Sequence, residues 1–350
     1  MRPRLSKRAL AEARATHNSP NRGRSLKHLI TGGSGFIGNL AARRLRERGE
    51  QVRVLDIWAD PTAAKDIEYV ESSVLNREGV AAAMRGVDVV HHAAALVAQT
   101  RAGRRYWDVN FDGTRIVAEE AAKAHVKTVI HISTTAVYGI PPAGAITSQT
   151  PLRPIELYGK SKLAGENAMA EICTRRNIPL ITIRPRTTLG AGRLGIFHVL
   201  FEWIKENRNV YVIGGGNIKF QFIHAHDLMD FYLLALEAGK TGTYNVGTNR
   251  FGTLRSDLED LIRYADSSSR VQSLPKALAI NALRLLYYFR ISPLVPWHYL
   301  TYHRECHFDV EPLLRMGWQP KYSNTAMLRE SYDWYCENLD LQANANVGSP

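Results

Sequence analysis

The stretch His28-Leu29-Ile30-Thr31-Gly32-Gly33-Ser34-Gly35-Phe36-Ile37-Gly38 decides the fold of this chain. Its apolar run predicts a strand, Gly32, Gly35 and Gly38 predict a tight turn, and the Ala- and Arg-rich residues that follow predict a helix. A diphosphate needs that arrangement. Without Cβ atoms the backbone can come close to the phosphates, while free N–H groups and the positive end of the helix dipole hold the anion. Three spaced glycines also fit a purely structural turn, so the surrounding sequence must decide.

Working outward, Leu26–Thr31 reads as the first strand, Gly35–Arg48 as its helix and Gly49 as the C-cap. Gln51-Val52-Arg53-Val54-Leu55 reads as a second strand ending in Asp56. That carboxylate lies about 20 residues past the glycines, where a dinucleotide fold places the acid that accepts the ribose hydroxyls. A carboxylate there repels a 2′-phosphate, and Ile57 and Trp58 follow it rather than Arg, so NAD is expected over NADP. A surface Asp at a strand end is the plainer alternative. Next come a strand near 67–70, a helix near 77–85 and a strand Val87–His91 leading into His92-Ala93-Ala94-Ala95. Small residues there let backbone lie against a cofactor, although they equally suit helix packing. A helix pattern over 106–125 and a strand Thr128–Ile132 continue the alternation, which implies a parallel sheet covered on both faces.

The strand Thr128–Ile132 runs into Ser133-Thr134-Thr135-Ala136-Val137-Tyr138-Gly139. Ligands of such sheets bind at the carboxyl ends of the strands, so these hydroxyls are candidates for chemistry. After a Pro/Gly-rich loop, Tyr158-Gly159-Lys160-Ser161-Lys162 begins a helix read over 158–176. Tyr158 and Lys162 are four apart and share a helical face. A phenol with an ordinary pKa near 10 is a poor base at neutral pH, and a neighbouring ammonium stabilises the phenolate enough to take a proton from an alcohol. In isolation the pair reads as an exposed helix pair; after a nucleotide-binding half it reads as catalytic.

Composition is ordinary for a globular chain of 350 residues, with 45% apolar and 22% charged residues. The net charge of +12 is uneven: residues 1–28 hold eight Lys/Arg against Glu12, leaving +5 for the rest. The basicity belongs to a tail, so no nucleic-acid partner is expected. Residues 1–25 read as a disordered basic extension, without the apolar core of a secretory signal. Cys173, Cys306 and Cys336 are odd in number and far apart, which gives neither a disulfide framework nor a metal knuckle and suits a cytoplasmic location.

These residues together resemble the extended short-chain dehydrogenase/reductase family, the NAD-dependent epimerases and dehydratases of nucleotide sugars. The resemblance covers roughly 27–338. Its markers are the glycine motif, Asp56, His91-His92-Ala93-Ala94, Val109-Asn110-Phe111-Asp112-Gly113-Thr114, Ser133–Gly139, Tyr158–Lys162, Arg184-Pro185, Phe222-Ile223-His224-Ala225-His226-Asp227-Leu228, Tyr244-Asn245-Val246-Gly247 and Leu314–Pro320. It implies a Rossmann-type doubly wound parallel sheet for 26–185, with a smaller mixed α/β substrate region built mainly from 186–340. It implies Tyr158 as the general base or acid, with Lys162 lowering its pKa and binding the nicotinamide ribose. Thr134 would hydrogen-bond the reacting oxygen. Gly32, Gly35, Phe36, Ile37, Gly38, Asp56, Ala93, Ala94, Asn110, Ser133 and Pro185, with Tyr158 and Lys162, would hold NAD. A homodimer through the helices near 106–125 and 158–176 is implied as well.

Departures bear on the substrate. Thr135 and Ala136 follow Thr134 where 4,6-dehydratases of the family resemble one another in having Asp-Glu, so dehydration is not expected. Thr187 stands where many UDP-sugar enzymes have Asn. Phe220-Gln221 stands where they often have Arg-Asp, the Arg gripping the diphosphate, which leaves Lys219 or Arg186 to supply charge. Substrate contacts are therefore expected from Arg186, Thr187, Phe220 and Gln221. Residues 274–290 are similar to the corresponding segment of the 3β-hydroxysteroid dehydrogenase branch, whose members oxidise sterol alcohols and often associate with membranes. A helix with aromatics and arginines suits peripheral contact with a bilayer through 277–290, or a lid over the substrate pocket. The first expectation is an NAD-dependent epimerase or oxidoreductase of a nucleotide sugar. The second is a dehydrogenase of a sterol or other lipid alcohol, and the third a non-catalytic NAD-binding regulatory protein. The histidines match cofactor-side and packing motifs, so no metal is expected.

Overall fold

Leu29 and Ile30 are neighbours on one strand and both are completely buried, so their two faces must both be covered. That is the signature of a strand inside a parallel sheet. The computed structural model describes residues 25–339 apart from 60–65, 99–100, 141–143, 290, 292–293 and 295. The extension read over 1–25 lies outside them except for Ser25.

Strands β1 (Lys27–Thr31), β2 (Gln51–Asp56), β3 (Glu68–Glu71), β4 (Val89–His92), β5 (Thr128–Ile132), β6 (Leu180–Pro185) and a later strand Gly242–Val246 form one sheet. The order is Gly242–Val246, β6, β5, β4, β1, β2, β3, and every pairing is parallel. This is the doubly wound, Rossmann-type sheet that the strand–helix alternation predicts. Helix α1 (Phe36–Glu47) covers the Ile30 face through Ala41, Ala42 and Leu45, together with Leu228, Met229 and Phe231 of a later helix, Ala225–Glu237. Helices α2 (Arg77–Ala83), α3 (Thr114–Lys123) and α4 (Leu157–Arg175) cover the Leu29 face through Val80, Val117, Ala121, Met169 and Cys173.

The helix read over 106–125 is interrupted. A short turn at Arg105–Trp107 passes into a wide π-helical turn, Asp108–Gly113, before α3 begins. Such turns concentrate at functional sites because the extra residue re-aims a side chain. Here Asn110 is turned inward. Its Oδ1 accepts the Leu96 N–H at 2.8 Å, and its Nδ2 donates to Leu96 O at 3.1 Å and Ser161 Oγ at 3.2 Å. The loop after β4 is thereby tied to α4.

A third cluster is built from residues after Leu189. Phe197 and Phe201 of α5 (Phe197–Lys205) pack with Phe222, with Leu258 and Leu261 of α7 (Leu254–Tyr264), and with Met327 and Leu328 of α11 (Asn324–Glu337). The helix Ala225–Glu237 is α6. Short parallel pairs join β7 (Thr187–Leu189) to β9 (Phe222–His224), and β8 (Val210–Ile213) to β11 (Val271–Leu274); Gly242–Val246 is β10. Helix α8 (Lys276–Tyr288) and α9 (Pro296–Thr301) follow, then α10 (Glu311–Arg315). Unlike a lid packed down on its apolar side, α8 buries Ala279 and leaves Leu278, Leu285, Leu286 and Tyr288 exposed. Among the described residues no helix is long and apolar enough to cross a membrane.

A buried ion pair ties the sheet to α4. The Arg184 guanidinium on β6 embraces the Glu166 carboxylate on α4, with Nε to Oε2 at 3.1 Å and Nη2 on Oε1. Ser133 Oγ donates to the same carboxylate at 2.6 Å, and Arg184 also donates to Tyr138 Oη at 2.7 Å. Tyr138 Oη in turn donates to Asn245 Oδ1 at 2.8 Å. Removing one partner of a buried pair leaves the other charge uncompensated. Glu166→Ala is expected to destabilise the fold by about 3–5 kcal/mol in urea unfolding. A loss below about 1 kcal/mol is the value of a surface pair and contradicts this account.

Buried histidines set the acid limit. Burial pushes His28 down to about 4 and His92 down to about 3. His91, hydrogen-bonded between His28 and Tyr232, and His131, stacked on His92, are held well below the usual range by the same cause. All four are neutral in the folded state. The unfolded chain takes up protons below about 6.5, so their contribution is complete above that pH and is lost as pH falls toward 4. His28 and His92 each cost about 2 kcal/mol by pH 5, while Asp257, raised to about 6 by burial, offsets a part. Thermal melts should fall steadily from pH 7 to pH 5, and a flat profile refutes the assignment.

Candidate active site

Gly38 shows why the glycine turn has its sequence. A Cβ there would stand 2.1 Å from Gly32 O, and one on Gly32, whose φ is +72°, would stand 2.5 Å from Ala94 N. The first turn of α1 can therefore pack on the β1 loop and the β4 loop only without side chains at those two positions. Gly35 is the N-cap of α1 and makes no side-chain capping bond, so N–H groups of that helix face the cleft above it. At the end of β2, Asp56 accepts the Ser34 N–H at 2.9 Å and the Ile57 N–H at 2.7 Å. The donors of the turn and the carboxylate beyond it are those that a dinucleotide needs.

A cleft of about 250 Å³ opens at the carboxyl ends of β1, β4, β5 and β6. Gly32, Gly35, Phe36, Ile37, Gly38, Ala93, Ser133, Thr134, Tyr158, Lys162 and Pro185 line it, as do Arg186, Thr187 and Phe220. The sequence-expected residues are thus brought together with four exceptions. Asp56 stands outside the lining, at the end of β2 and bound to the Ser34 N–H. Ala94 backs Gly32 through its main chain. Asn110 holds the Leu96 backbone rather than facing the cleft. Gln221, expected at the substrate, is fully buried behind the wall: its amide donates to Thr248 O at 2.7 Å and accepts the Phe308 N–H at 2.7 Å. Gln221 is a brace between segments. A larger groove of about 870 Å³ between α3 and α4 lies away from the glycine turn.

The helix α4 starts where Glu156 accepts the N–H groups of Tyr158 and Gly159, both at 2.9 Å. This cap aims Tyr158 into the cleft, hydrogen-bonded to Thr134 and 5.9 Å from the Tyr106 ring. Burial pushes the phenol up, the Thr134 hydroxyl and the Arg193 charge pull it part of the way back, and the outcome is about 12. Lys162 lies one turn farther on. Its ammonium donates to Ile132 O at 2.7 Å, and burial brings it down to about 8 against the pull of Glu166. Ser133 is held by Glu166, as described above.

Reasoning from sequence alone missed Arg193. Its guanidinium lies 5.4 Å above the Phe36 ring, on the loop after β7 whose Gly190 and Gly192 both have positive φ. It makes no ion pair among the described residues, and burial lowers its pKa while Tyr158 raises it. A signal was available: Arg193 is the first cation after the β7 strand end, between glycines. Arg186 is similar in kind. Its Nε donates to Gln221 O at 3.0 Å, one Nη approaches Cys306 Sγ at 2.9 Å, and its face lies 5.4 Å from Phe220 and 5.6 Å from Phe308. Arg186 also has no carboxylate partner among the described residues. His298, Thr301 and Tyr302 complete the wall, with Tyr302 Oη 3.4 Å from Thr187 Oγ1.

The geometry has a counterpart in known proteins. The chain is 36% identical over 311 residues to "Uncharacterized protein y4nG" of Sinorhizobium fredii, covering 89% of this chain and 78% of that one. It is 30% identical over 260 residues to the UDP-glucose 4-epimerase of Lactobacillus helveticus, covering 64% and 77%. Its fold matches that of the Bacillus cereus UDP-glucuronic acid 4-epimerase in complex with NAD, with a TM-score of 0.72 at 22% identity over 89% of this chain and 99% of that one. Residues 28–247 match the family model "NAD dependent epimerase/dehydratase family". That family model spans the glycine turn, the end of β2 and the start of α4, and the chain belongs to the NAD-dependent epimerase/dehydratase family.

Proposed function

We propose that the chain is an epimerase or oxidoreductase of a nucleotide-linked sugar, working by hydride transfer at a carbinol carbon. The observation that carries this reading is the pair of cleft arginines without carboxylates, Arg186 and Arg193, on the substrate side of Tyr158. Cations held out of bulk water without a counter-ion favour an anionic ligand, and a diphosphate suits two guanidinium groups. The similarity to UDP-glucose 4-epimerases supports the same class. NAD, the cofactor, supplies the hydride acceptor.

In this reading Thr134 and Tyr158 hold the substrate hydroxyl between them. Tyr158 takes its proton as the carbinol carbon is oxidised, and gives the proton back if the ketone is reduced on the opposite face. Lys162 fixes the ribose side of the cleft from its seat on Ile132 O. Thr135 donates to Pro185 O at 2.6 Å, and Ala136 is buried, so neither position of the dehydratase acid pair carries a carboxyl to eliminate water. That absence argues against 4,6-dehydration, the activity of a mouse relative that is 24% identical. The resemblance-based homodimer belongs to this proposal also, with α3 and α4 as its contact.

One observation favours a second reading, oxidation of a sterol or similar lipid alcohol. Phe220 is fully buried where a diphosphate-gripping Arg was expected, and with Tyr302 it makes part of the wall aromatic. A 3β-hydroxysteroid dehydrogenase of Mycolicibacterium neoaurum is 28% identical over 60% of this chain.

Thermal shift with NAD present distinguishes the two, since a specific ligand stabilises the fold by mass action. A nucleotide sugar should raise the melting temperature, and Arg193→Gln should diminish the rise. Stabilisation by sterols alone refutes the first reading. With the substrate so found, Tyr158→Phe should lower kcat by about 10²–10⁴, far more than it weakens NAD binding. Full activity in that variant removes Tyr158 from the mechanism.

A further inference from the structure

We propose that α8 and the residues just after it form a docking surface for a bilayer carrying anionic headgroups. Of the twelve large apolar side chains exposed among the described residues, six fall within 278–291: Leu278, Leu285, Leu286, Tyr288, Phe289 and Ile291, between 39% and 79% exposed. Leu278, Ala282, Leu285 and Phe289 are spaced four, three and four apart, which aligns them as one stripe along the helix, with Leu286 and Tyr288 on its flanks. The opposite side of α8 carries the buried Ala279 and the half-buried Leu283 and Tyr287. The helix is thus seated on the protein by one face and presents a second apolar face outward.

Charge selects the occupant. From 267 to 304 the sequence contains no Asp or Glu, but it contains Arg270, Lys276, Arg284, Arg290 and Arg304. A sixth cation joins from another segment: Arg101 lies 5.0 Å over the Tyr287 ring. An apolar stripe set among cations, with aromatic residues at one end, is the composition of a helix that lies in the plane of a negatively charged membrane surface. A second copy of the chain fits less well. Its 4–3–4 spacing resembles a coiled-coil seam, but pairing two copies brings cations together with no carboxylate on the segment to pair with them. Helix α9, which follows α8, carries the cleft residues His298 and Thr301, with Tyr302 next, so a bilayer under α8 lies beside the substrate side of the cleft. The inference does not rest on the identity of the substrate.

The test is co-sedimentation of the full chain, saturated with NAD, with vesicles of phosphatidylcholine alone or of phosphatidylcholine and phosphatidylglycerol at about 7:3. Wild type should bind the anionic vesicles at least about tenfold more tightly, with the excess lost in high salt. Combined Leu278→Gln, Leu285→Gln and Phe289→Gln should weaken that binding about tenfold or more, with NAD-dependent thermal stabilisation intact. Arg284→Gln should reduce only the preference for anionic vesicles. The basic residues 1–28 are common to all forms, so the difference reports on α8. Unchanged vesicle binding by the triple variant overturns the proposal. So does sedimentation equilibrium that shows wild type pairing through this face and the triple variant failing to pair.

Discussion

The Glu166–Arg184 pair is the constraint from which the arrangement of Tyr158, Lys162 and Thr134 follows. Placing two charges under the carboxyl end of a parallel sheet costs desolvation on both, and a hydrophobic pair of the same volume could be as stable. What the pair supplies is direction. Glu166 lies one turn beyond Lys162, which lies one turn beyond Tyr158, so a single face of α4 carries all three. Fixing Glu166 on Arg184 and Ser133 sets the rotation of that helix about its own axis. Lys162 then reaches Ile132 O, and Tyr158 reaches Thr134. Two glycines make the close approach possible: a Cβ on Gly165 would stand 2.1 Å from Asn110 O, and one on Gly159 would stand 2.7 Å from Ala136 O.

Magnitudes then decide how many groups must act on the phenol. Burial is the chief cause that holds Tyr158 at about 12 with Thr134 and Arg193 already acting on it, and the proposed mechanism then requires about 7 kcal/mol of preferential stabilisation of the phenolate to bring it to neutrality. An exposed ion pair contributes about 1 kcal/mol or less. No single exposed cation suffices, so the cleft must exclude water and gather several contributions. Thr134 and Arg193 are already at work at that value, and Lys162, brought down to about 8, sits one turn away as a further buried cation. The same burial that makes the phenol a poor acid also makes each nearby charge count for more.

The cofactor half was legible in the sequence for a physical reason. Strands buried on both faces read as unbroken apolar runs, and a backbone that must touch phosphate admits only glycine, so β1, β2, β5 and the turn at Gly32–Gly38 are each written locally. Boundaries moved by a residue or two, as frayed ends do. The helix over 106–125 hid its π-helical turn, because the widening depends on Asn110 finding Leu96, a contact that no periodicity records. Gln221 was misplaced for a related reason. Its position beside β9 suggested a ligand contact, but the side chain turns toward Thr248 and Phe308, partners about 27 and 87 residues away.

The substrate side follows a different logic, in which charge is placed by packing rather than by motif. The segment before β9 supplies an aromatic ring, Phe220, the departure already legible in the sequence. That ring and Phe308 flank Arg186, and Gln221 O fixes its Nε. Aromatic faces attract a guanidinium without neutralising it, so its field stays available to a ligand in a way that a carboxylate partner would cancel. Phe220 and Arg186 are therefore one device read in two pieces: the ring that stands in place of a cation helps to hold another cation, Arg186, at the cleft. Arg193, brought over Phe36 by a glycine-rich loop, adds a second charge near Tyr158. The positive field of the cleft comes from Arg186 and Arg193, and the packing that places Arg186 draws on Phe220 and on Cys306, 120 residues away in sequence, so only the folded chain shows it.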